Sequence, residues 1–143
     1  MKKILVINGV NLNLLGLREP GVYGVATLKD IEELVAARAK QLGASVDFFQ
    51  SNIEGEVVNA IHGTMGRYDG IIMNPGAWTH YAYALHDALT SVKVPCIEVH
   101  ISNIHKREEF RHHSVTAPAC TGQIAGLGIS GYVYALEALC NEN

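Results

Sequence analysis

Short apolar runs rich in β-branched residues alternate along the chain with segments whose apolar residues recur at helical spacing. The apolar runs predict strands over residues 4–7, 45–50, 70–74 and 95–99, with a short fifth strand near residues 119–121. Strands that alternate with helices are typical of an α/β fold, in which helices cover both faces of a parallel sheet. Five strands within a single domain, residues 1–143, favour the flavodoxin-like strand order 2-1-3-4-5.

The boundaries of the helices carry their own signals. Thr27, followed three positions later by Asp30, predicts the capped start of a helix that ends at Gly43. Ser51 predicts the start of the next helix in the same way, Thr79 the start of a third, and residues 129–139 form the last. Residues 9–26 show neither strand nor helix periodicity, and loops of this length often cover binding sites.

Composition narrows the class of protein. The 143 residues are 48% hydrophobic and 17% charged, and the formal net charge is -3, so we expect a globular domain without a nucleic-acid surface or a membrane anchor. Three cysteines without a C-x-x-C motif argue against a disulfide framework and fit a reducing compartment. No apolar run is long enough for a signal peptide or a membrane span, which predicts a cytoplasmic protein.

Polar side chains follow three of the predicted strands where each strand ends. Asn11 follows the first strand and Asn74 the third, while Glu98, His100 and Ser102 alternate through the end of the fourth. Ligands of open parallel sheets bind at this edge, and side chains two positions apart point to the same face. A carboxylate beside an imidazole favours the protonated ring. We therefore interpret this edge as a functional site rather than as ordinary polar strand ends.

Arg18 and Tyr23 lie in the long loop, and Tyr23 has two readings. A tyrosine ordinarily loses its proton only near pH 10, so it works as a base near neutrality only where positive charge stabilises the phenolate. Arg18, five positions away, is close enough to fold back onto the ring oxygen. Spacing alone also allows a packing role for Tyr23, and Trp78 is equally open between a pocket wall and a core residue.

Two further motifs could indicate a metal site and a dinucleotide site, but their spacing argues against both. Residues 100–113 contain four histidines, whose spacing matches no zinc motif, so we expect no metal site. Residues 126–131 match G-x-G-x-x-G, but only twelve residues follow, too few for a dinucleotide-binding unit. The glycines there are predicted to form a tight turn into the last helix.

The motifs together resemble the type II 3-dehydroquinate dehydratases, in order and over nearly the whole chain. The similar blocks are GVNLNLLG at residues 9–16 with Arg18 and Tyr23, NPGA at 74–77 with Thr79 and His80, IEVHISN at 97–103, REEFRHHS at 107–114, and GLG at 126–128 with Gly131 and Tyr132. Val10 replaces a proline usual in that family, and Trp78 replaces the commoner tyrosine.

The resemblance implies a reaction and roles for the catalytic residues. The reaction is an anti elimination of water from 3-dehydroquinate, which gives 3-dehydroshikimate through an enolate-like intermediate without a cofactor or metal. Tyr23 would be the base and His100 the acid. Arg18 would stabilise the phenolate, Asn11 the enolate, and Glu98 would assist His100.

The resemblance also implies binding residues and an assembly. The expected substrate contacts are Asn74, His80, Ile101, Ser102 and Arg111, together with Asp87, which is similar to a residue that reaches a neighbouring subunit's site. The family assembles as a homo-oligomer, a dodecamer of four trimers. The sequence leaves open whether the reaction serves aromatic biosynthesis or quinate breakdown.

Two other functions remain as alternatives. A nucleotide- or flavin-binding protein of the same fold needs a phosphate-binding loop after the first strand, and Asn-Leu-Asn-Leu-Leu at residues 11–15 is poor in the residues that such loops use. A non-catalytic assembly module needs no charged cleft, whereas the predicted edge brings histidine, glutamate, asparagine and arginine together.

Overall fold

The computed structural model describes residues 1–141, and its centre is a five-stranded parallel sheet. The strands are β1 (Lys3–Asn8), β2 (Ser45–Gln50), β3 (Gly70–Asn74), β4 (Cys96–His100) and β5 (Gly122–Ala125). They lie in the order β2-β1-β3-β4-β5, and every neighbouring pair is parallel. The predicted fold class and strand order are therefore confirmed.

Helices connect the strands and cover both faces of the sheet. They are α1 (Pro20–Tyr23), α2 (Leu28–Leu42), α3 (Glu54–His62), α4 (Tyr83–Val92) and α5 (Ser130–Cys140). Short 3₁₀ turns occupy Leu12–Leu14, Gly76–His80, Ile104–Lys106, Glu109–Arg111 and Ala117–Ala119. Within residues 1–141, every helix is too short or too polar to cross a lipid bilayer.

Strand β1 shows why both faces must be covered. Its side chains alternate between the two faces, as in any strand. Ile4 and Val6 pack against α2 and α5, whereas Leu5 and Ile7 pack against α3 and α4. All four are at most 7% exposed, so this strand is apolar throughout and lies between two separate hydrophobic layers.

Of the two capping boxes predicted at helix starts, one is confirmed and one is wrong. The Thr27 box is confirmed, because Thr27 Oγ1 accepts a bond from the Asp30 backbone N–H and Asp30 accepts one from the Thr27 N–H. The box at Ser51 is wrong, since Ile53 is the N-cap residue of α3 and makes no side-chain cap. Ser51 Oγ instead accepts from the Ile53 N–H at 2.9 Å and donates to Glu56.

Three other boundary predictions need correction. Thr79 does not open the third helix, which begins at Tyr83; its buried hydroxyl is used in a tertiary contact within the 3₁₀ turn. The fifth strand begins at Gly122, since residues 117–119 form a 3₁₀ turn. Residues 9–26 are a long connection as predicted, but they include a 3₁₀ turn and α1. Gly126 and Gly128 lead into α5, as expected, and Gly131 lies in its first turn.

A buried tyrosine on α5 joins the ends of β1 and β3. The Tyr132 hydroxyl, fully shielded from solvent, donates to Asn8 Oδ1 at 2.5 Å and accepts from Asn74 Nδ2 at 2.9 Å. Asn74 Oδ1 in turn accepts from the Gly76 N–H at 3.1 Å. The side-chain amide of Asn74 is thus held through both its nitrogen and its oxygen, which fixes its orientation at the strand end.

Removing this hydroxyl is expected to destabilise the fold. Tyr132→Phe leaves two buried amide groups without their partner, which costs about 1–3 kcal/mol of unfolding free energy. Urea denaturation measures the change. Tyr134→Phe is the control on the same helix, since Tyr134 is 48% exposed, and its effect should stay within about 0.5 kcal/mol. Equal effects of the two substitutions would contradict this role for Tyr132.

Candidate active site

A cleft lies beyond the carboxyl ends of β1, β3 and β4, between the sheet edge and residues 10–23. Its volume, including the open mouth, is about 530 Å³. This is the place where ligands of open parallel sheets bind. The lining residues are Val10, Asn11, Leu12, Leu15, Arg18, Tyr23, Asn74, Gly76, Ala77, His80, His100, Ile101, Ser102, Ile104, Arg107 and Arg111.

Two glycines allow the connections after β1 and β3 to pack backbone against backbone. A Cβ at Gly9 would lie 2.6 Å from the Pro75 carbonyl oxygen, and a Cβ at Gly76 would lie 2.7 Å from that of Val10. Gly76 also has a φ of +62°, which favours glycine. Asn11 itself is left-handed, with a φ of 68°, so its side chain leaves the backbone at the rim of the cleft.

The wall formed by β4 holds a histidine backed by a carboxylate. His100 Nε2 lies 2.9 Å from Glu98 Oε2, and the two residues are 6% and 0% exposed. Burial alone would raise the pKa of the Glu98 carboxyl, but hydrogen bonds from His100, Thr116 and Gln123 and the positive charge of His100 outweigh it. The pKa of Glu98 therefore lies below its ordinary value, and the predicted pairing of the two side chains is confirmed by the geometry.

A second histidine is held in its neutral form. His80 Nδ1 lies 2.8 Å from the His113 carbonyl oxygen, so Nδ1 carries a proton and donates. Burial lowers the pKa of His80, and the charges of Arg111 and His100 lower it further against the opposing effect of the carbonyl. With Nδ1 protonated and the ring neutral, Nε2 remains as an acceptor for a ligand hydroxyl.

The opposite wall carries Tyr23, whose oxygen two guanidinium groups approach. Arg107 Nη1 donates to Tyr23 Oη at 2.7 Å, and Arg18 Nη2 does so at 3.4 Å. The guanidinium carbons also lie 5.2 and 4.8 Å from the centre of the phenol ring, within the range of cation–π attraction. The Tyr23 oxygen therefore accepts hydrogen bonds from two charged groups.

The cleft is positively charged although the chain as a whole is negative. Arg18, Arg107 and Arg111 line it, and no aspartate or glutamate of the described chain does. Arg111 is held by Glu108, which it contacts through Nε, and Arg18 lies 3.9 Å from Glu19. A cleft of this charge is suited to a small anionic ligand.

Most of the residues that the sequence predicted for the site come together. Nine line the cleft, namely Asn11, Arg18, Tyr23, Asn74, His80, His100, Ile101, Ser102 and Arg111. Glu98 lies behind His100 rather than at the surface of the cleft. Asp87 lies on α4 with a side chain that is 81% exposed, and it does not line the cleft of its own chain.

Arg107 is a charged lining residue to which the sequence assigned no role. It lies within the histidine-rich segment after β4, but 84 positions from Tyr23, so no spacing pattern connects the two. The question left open for Trp78 also has an answer. Trp78, 5% exposed, packs in the core layer with α3 and α4, whereas Val10 lines the cleft.

The remaining histidines of residues 100–113 do not gather around a point. His112 Nε2 lies 2.9 Å from the Arg107 carbonyl oxygen, and the His105 and His112 rings are 6.1 Å apart. Over residues 1–141, no group of three or more histidine, cysteine, aspartate or glutamate side chains is arranged to hold a metal ion.

Comparison with known proteins places the chain in a family. The family model for class II dehydroquinase matches residues 2–140. A 3-dehydroquinate dehydratase of Caldicellulosiruptor bescii is 59% identical over 140 residues, which cover 97% of each chain. One of Clostridium perfringens is 57% identical over 141 residues, with 98% of each chain covered.

Solved structures agree with the sequence comparison. The crystal structure of a type II dehydroquinase from Butyrivibrio crossotus superposes with a TM-score of 0.95 at 48% identity, covering 96% of this chain and 97% of the other. That from Propionibacterium acnes gives 0.96 at 46% identity, covering 99% and 98%. On the match over nearly its full length, this chain belongs to the class II dehydroquinase family.

Proposed function

We propose that this protein is a hydro-lyase that converts 3-dehydroquinate to 3-dehydroshikimate and water. One observation carries the proposal: Tyr23, with two guanidinium groups on its oxygen, shares a positively charged cleft with His100, which a buried carboxylate supports. An anion stabilised as a base and an imidazole able to act as an acid are the two groups that a dehydration beside a ketone needs. The family membership supports the same reaction.

The first step is a proton transfer to Tyr23. The phenolate oxygen takes the proton from the carbon beside the ketone, the C–H bond breaks, and its electrons pass into an enolate. Arg18 and Arg107 compensate the charge of Tyr23 before the transfer. Asn11, at the rim of the same cleft, stabilises the negative charge that develops on the ketone oxygen.

The second step is the loss of the hydroxyl group. The enolate electrons form the new carbon–carbon double bond while the C–O bond breaks, and His100 gives its proton to the departing hydroxyl, which leaves as water. Because Glu98 holds Nε2, the proton comes from Nδ1. The base and the acid lie on different walls of the cleft, one on the segment 18–23 and the other on β4, which suits an anti elimination.

The other lining residues bind the substrate. Arg111 and the Ile101–Ser102 segment receive the carboxylate, and His80 Nε2 accepts from a hydroxyl group. Asn74, whose two amide atoms are already held by Tyr132 and Gly76, offers a fixed amide to the ring hydroxyls.

The assembly and the compartment belong to the same proposal. Subunits associate as a dodecamer of four trimers, in which Asp87 reaches a neighbouring subunit's cleft; its exposed position on α4 supports this role. The three cysteines are free thiols, which supports a reducing, cytoplasmic environment.

Activity and the role of the base are tested together. Purified protein given 3-dehydroquinate and a metal chelator should form the conjugated enone, followed by its ultraviolet absorbance, and Tyr23→Phe should abolish turnover while it leaves substrate binding largely intact. The ring is retained in that variant, but the group that accepts the proton is lost. Absence of enone formation, or near-normal turnover by Tyr23→Phe, would contradict the proposal, and a flavin spectrum would favour the nucleotide-binding alternative.

Arg107 should matter as much as Arg18, because its bond to Tyr23 Oη is the shorter of the two. We expect Arg107→Met to lower kcat on the order of 10²-fold or more, with a smaller effect on KM. Arg107→Lys should recover only part of the loss, since a lysine keeps the charge but not the planar geometry.

The control for this series is Arg38→Met. Arg38 bonds Glu137 at 2.8 Å away from the cleft, so its replacement should leave kcat close to that of the wild type. A kcat of Arg107→Met that matches the kcat of Arg38→Met would remove Arg107 from the proposed mechanism.

A further inference from the structure

Glu98 is surrounded by more hydrogen-bond donors than its pairing with His100 requires. Gln123 Nε2, from β5, donates to Oε2 of its carboxylate at 2.7 Å, and the hydroxyl oxygens of Thr79 and Ser114 each lie 3.1 Å from the same atom. The Thr116 hydroxyl bonds the other carboxylate oxygen. These four groups come from three separate parts of the chain, and Thr79 and Thr116 are completely buried.

The three hydroxyls also contact one another. Thr79 Oγ1 lies 2.6 Å from Ser114 Oγ and 2.9 Å from Thr116 Oγ1, and the latter two are 3.2 Å apart. Ser114 Oγ accepts a further bond from the Ala117 N–H at 2.9 Å, which fixes its position. We call these three hydroxyls and the Gln123 amide the Glu98 cage.

The cage and His100 together fit an ionised carboxylate better than a neutral acid. A carboxylate accepts hydrogen bonds and has no donor. His100, Gln123, Thr79 and Ser114 approach Oε2 of Glu98, and Thr116 approaches Oε1, so both oxygens have partners. A protonated Glu98 would present a donor, which the three hydroxyls could accept but the two nitrogen groups could not. The amide of Gln123 and the Nε2–H of His100 have no lone pair for it.

The energetic balance points the same way. A carboxylate without solvent contact is costly unless several donors replace water. Here burial opposes ionisation, and the donors reverse the outcome, so the pKa of Glu98 falls below its ordinary value of 4.5. Removing one donor returns part of the desolvation cost and raises that pKa.

We propose that Thr116 and Gln123, aided by Thr79 and Ser114, are positioning residues that keep Glu98 ionised and so hold the His100 imidazole in its orientation. This inference rests on the proposed function of His100 as the acid. The cage residues touch neither the substrate nor the reacting atoms. They act through Glu98, which acts through His100.

The other charged groups near the pair are few. The charges of Glu98, His100 and Arg111 all act on the pKa of His80. Cys96, on the same strand as Glu98, remains a neutral thiol, because its hydrogen bond with Cys120 and its burial raise its pKa well above the ordinary value. Met73 and Gln123, the strand neighbours of Glu98 on β3 and β5, carry no charge.

The sign of the pH effect follows from the depressed pKa. The ionised pair exists above the folded-state pKa of Glu98 and is lost as the pH falls through it, below 4.5 in the wild type. Thr116→Val keeps the shape of the side chain but removes one donor. The pH at which Glu98 becomes protonated should therefore rise by about one unit. Gln123→Leu, on the exposed edge strand, should shift it in the same direction without disturbing the core.

Two measurements read this shift. The acidic limb of the kcat profile reports the loss of the pair during turnover. An infrared pH titration of the protonated Glu98 carboxyl band, assigned by its absence in Glu98→Gln, reports the same event without substrate. If the wild type shows no dehydratase activity, the proposed function fails, while the infrared titration still decides whether the cage holds the charge.

Two controls separate this role from loss of stability. Thr116→Ser keeps the hydroxyl and should titrate like the wild type. Thr64→Val removes another fully buried hydroxyl, which donates to the Ile61 carbonyl at 2.6 Å far from Glu98, so it should lower stability without moving the titration. The proposal is overturned if the midpoint of the Glu98 titration in both Thr116→Val and Gln123→Leu lies within about 0.3 pH unit of the midpoint in Thr64→Val.

Discussion

The bond between Arg107 and Tyr23 connects the two halves of the cleft. Arg107 belongs to the segment that follows β4, and Tyr23 belongs to α1 in the connection after β1. The Arg107 Nη1 to Tyr23 Oη distance is 2.7 Å, so this bond ties Tyr23 to the sheet side of the cleft. Arg18 Nη2 lies 3.4 Å from the same oxygen. The two contacts together bring the positive charge of both guanidinium groups to the oxygen of Tyr23.

The sheet side of the cleft is rigid by comparison. Tyr132 locks Asn8 and Asn74 at two strand ends, and the cage around Glu98 fixes His100 at a third. These groups are buried and fully bonded, whereas Arg18 and Tyr23 are only partly buried. The wall formed by the sheet is therefore held by more buried contacts than the wall that carries Arg18 and Tyr23.

The sequence predicted the sheet well because its signals are local. Apolar runs and polar strand ends have fixed periods, and parallel strands bring their carboxyl ends to the same edge, so Asn74, Glu98 and His100 were correctly placed from spacing alone. Family resemblance, rather than spacing, supplied Tyr23 and Arg18 as partners.

Local signals failed where a side chain serves a distant partner. Thr79 has the residue type of a helix cap, but its hydroxyl belongs to the Glu98 cage, and Ser51 bonds Glu56 rather than capping at the expected place. Arg107 and Gln123 were missed for the same reason, since their partners are 84 and 25 positions away. Such pairs exist only once the sheet has formed, and no local pattern encodes them.

The division of labour between Tyr23 and His100 is the central claim, and isotope exchange in D₂O tests it most directly. If Tyr23 removes the proton and His100 serves only the departing hydroxyl, His100→Gln should still incorporate deuterium at the carbon beside the ketone while it forms little enone. Tyr23→Phe should incorporate none. Exchange by Tyr23→Phe, or its complete loss in a correctly folded His100→Gln, would contradict the account.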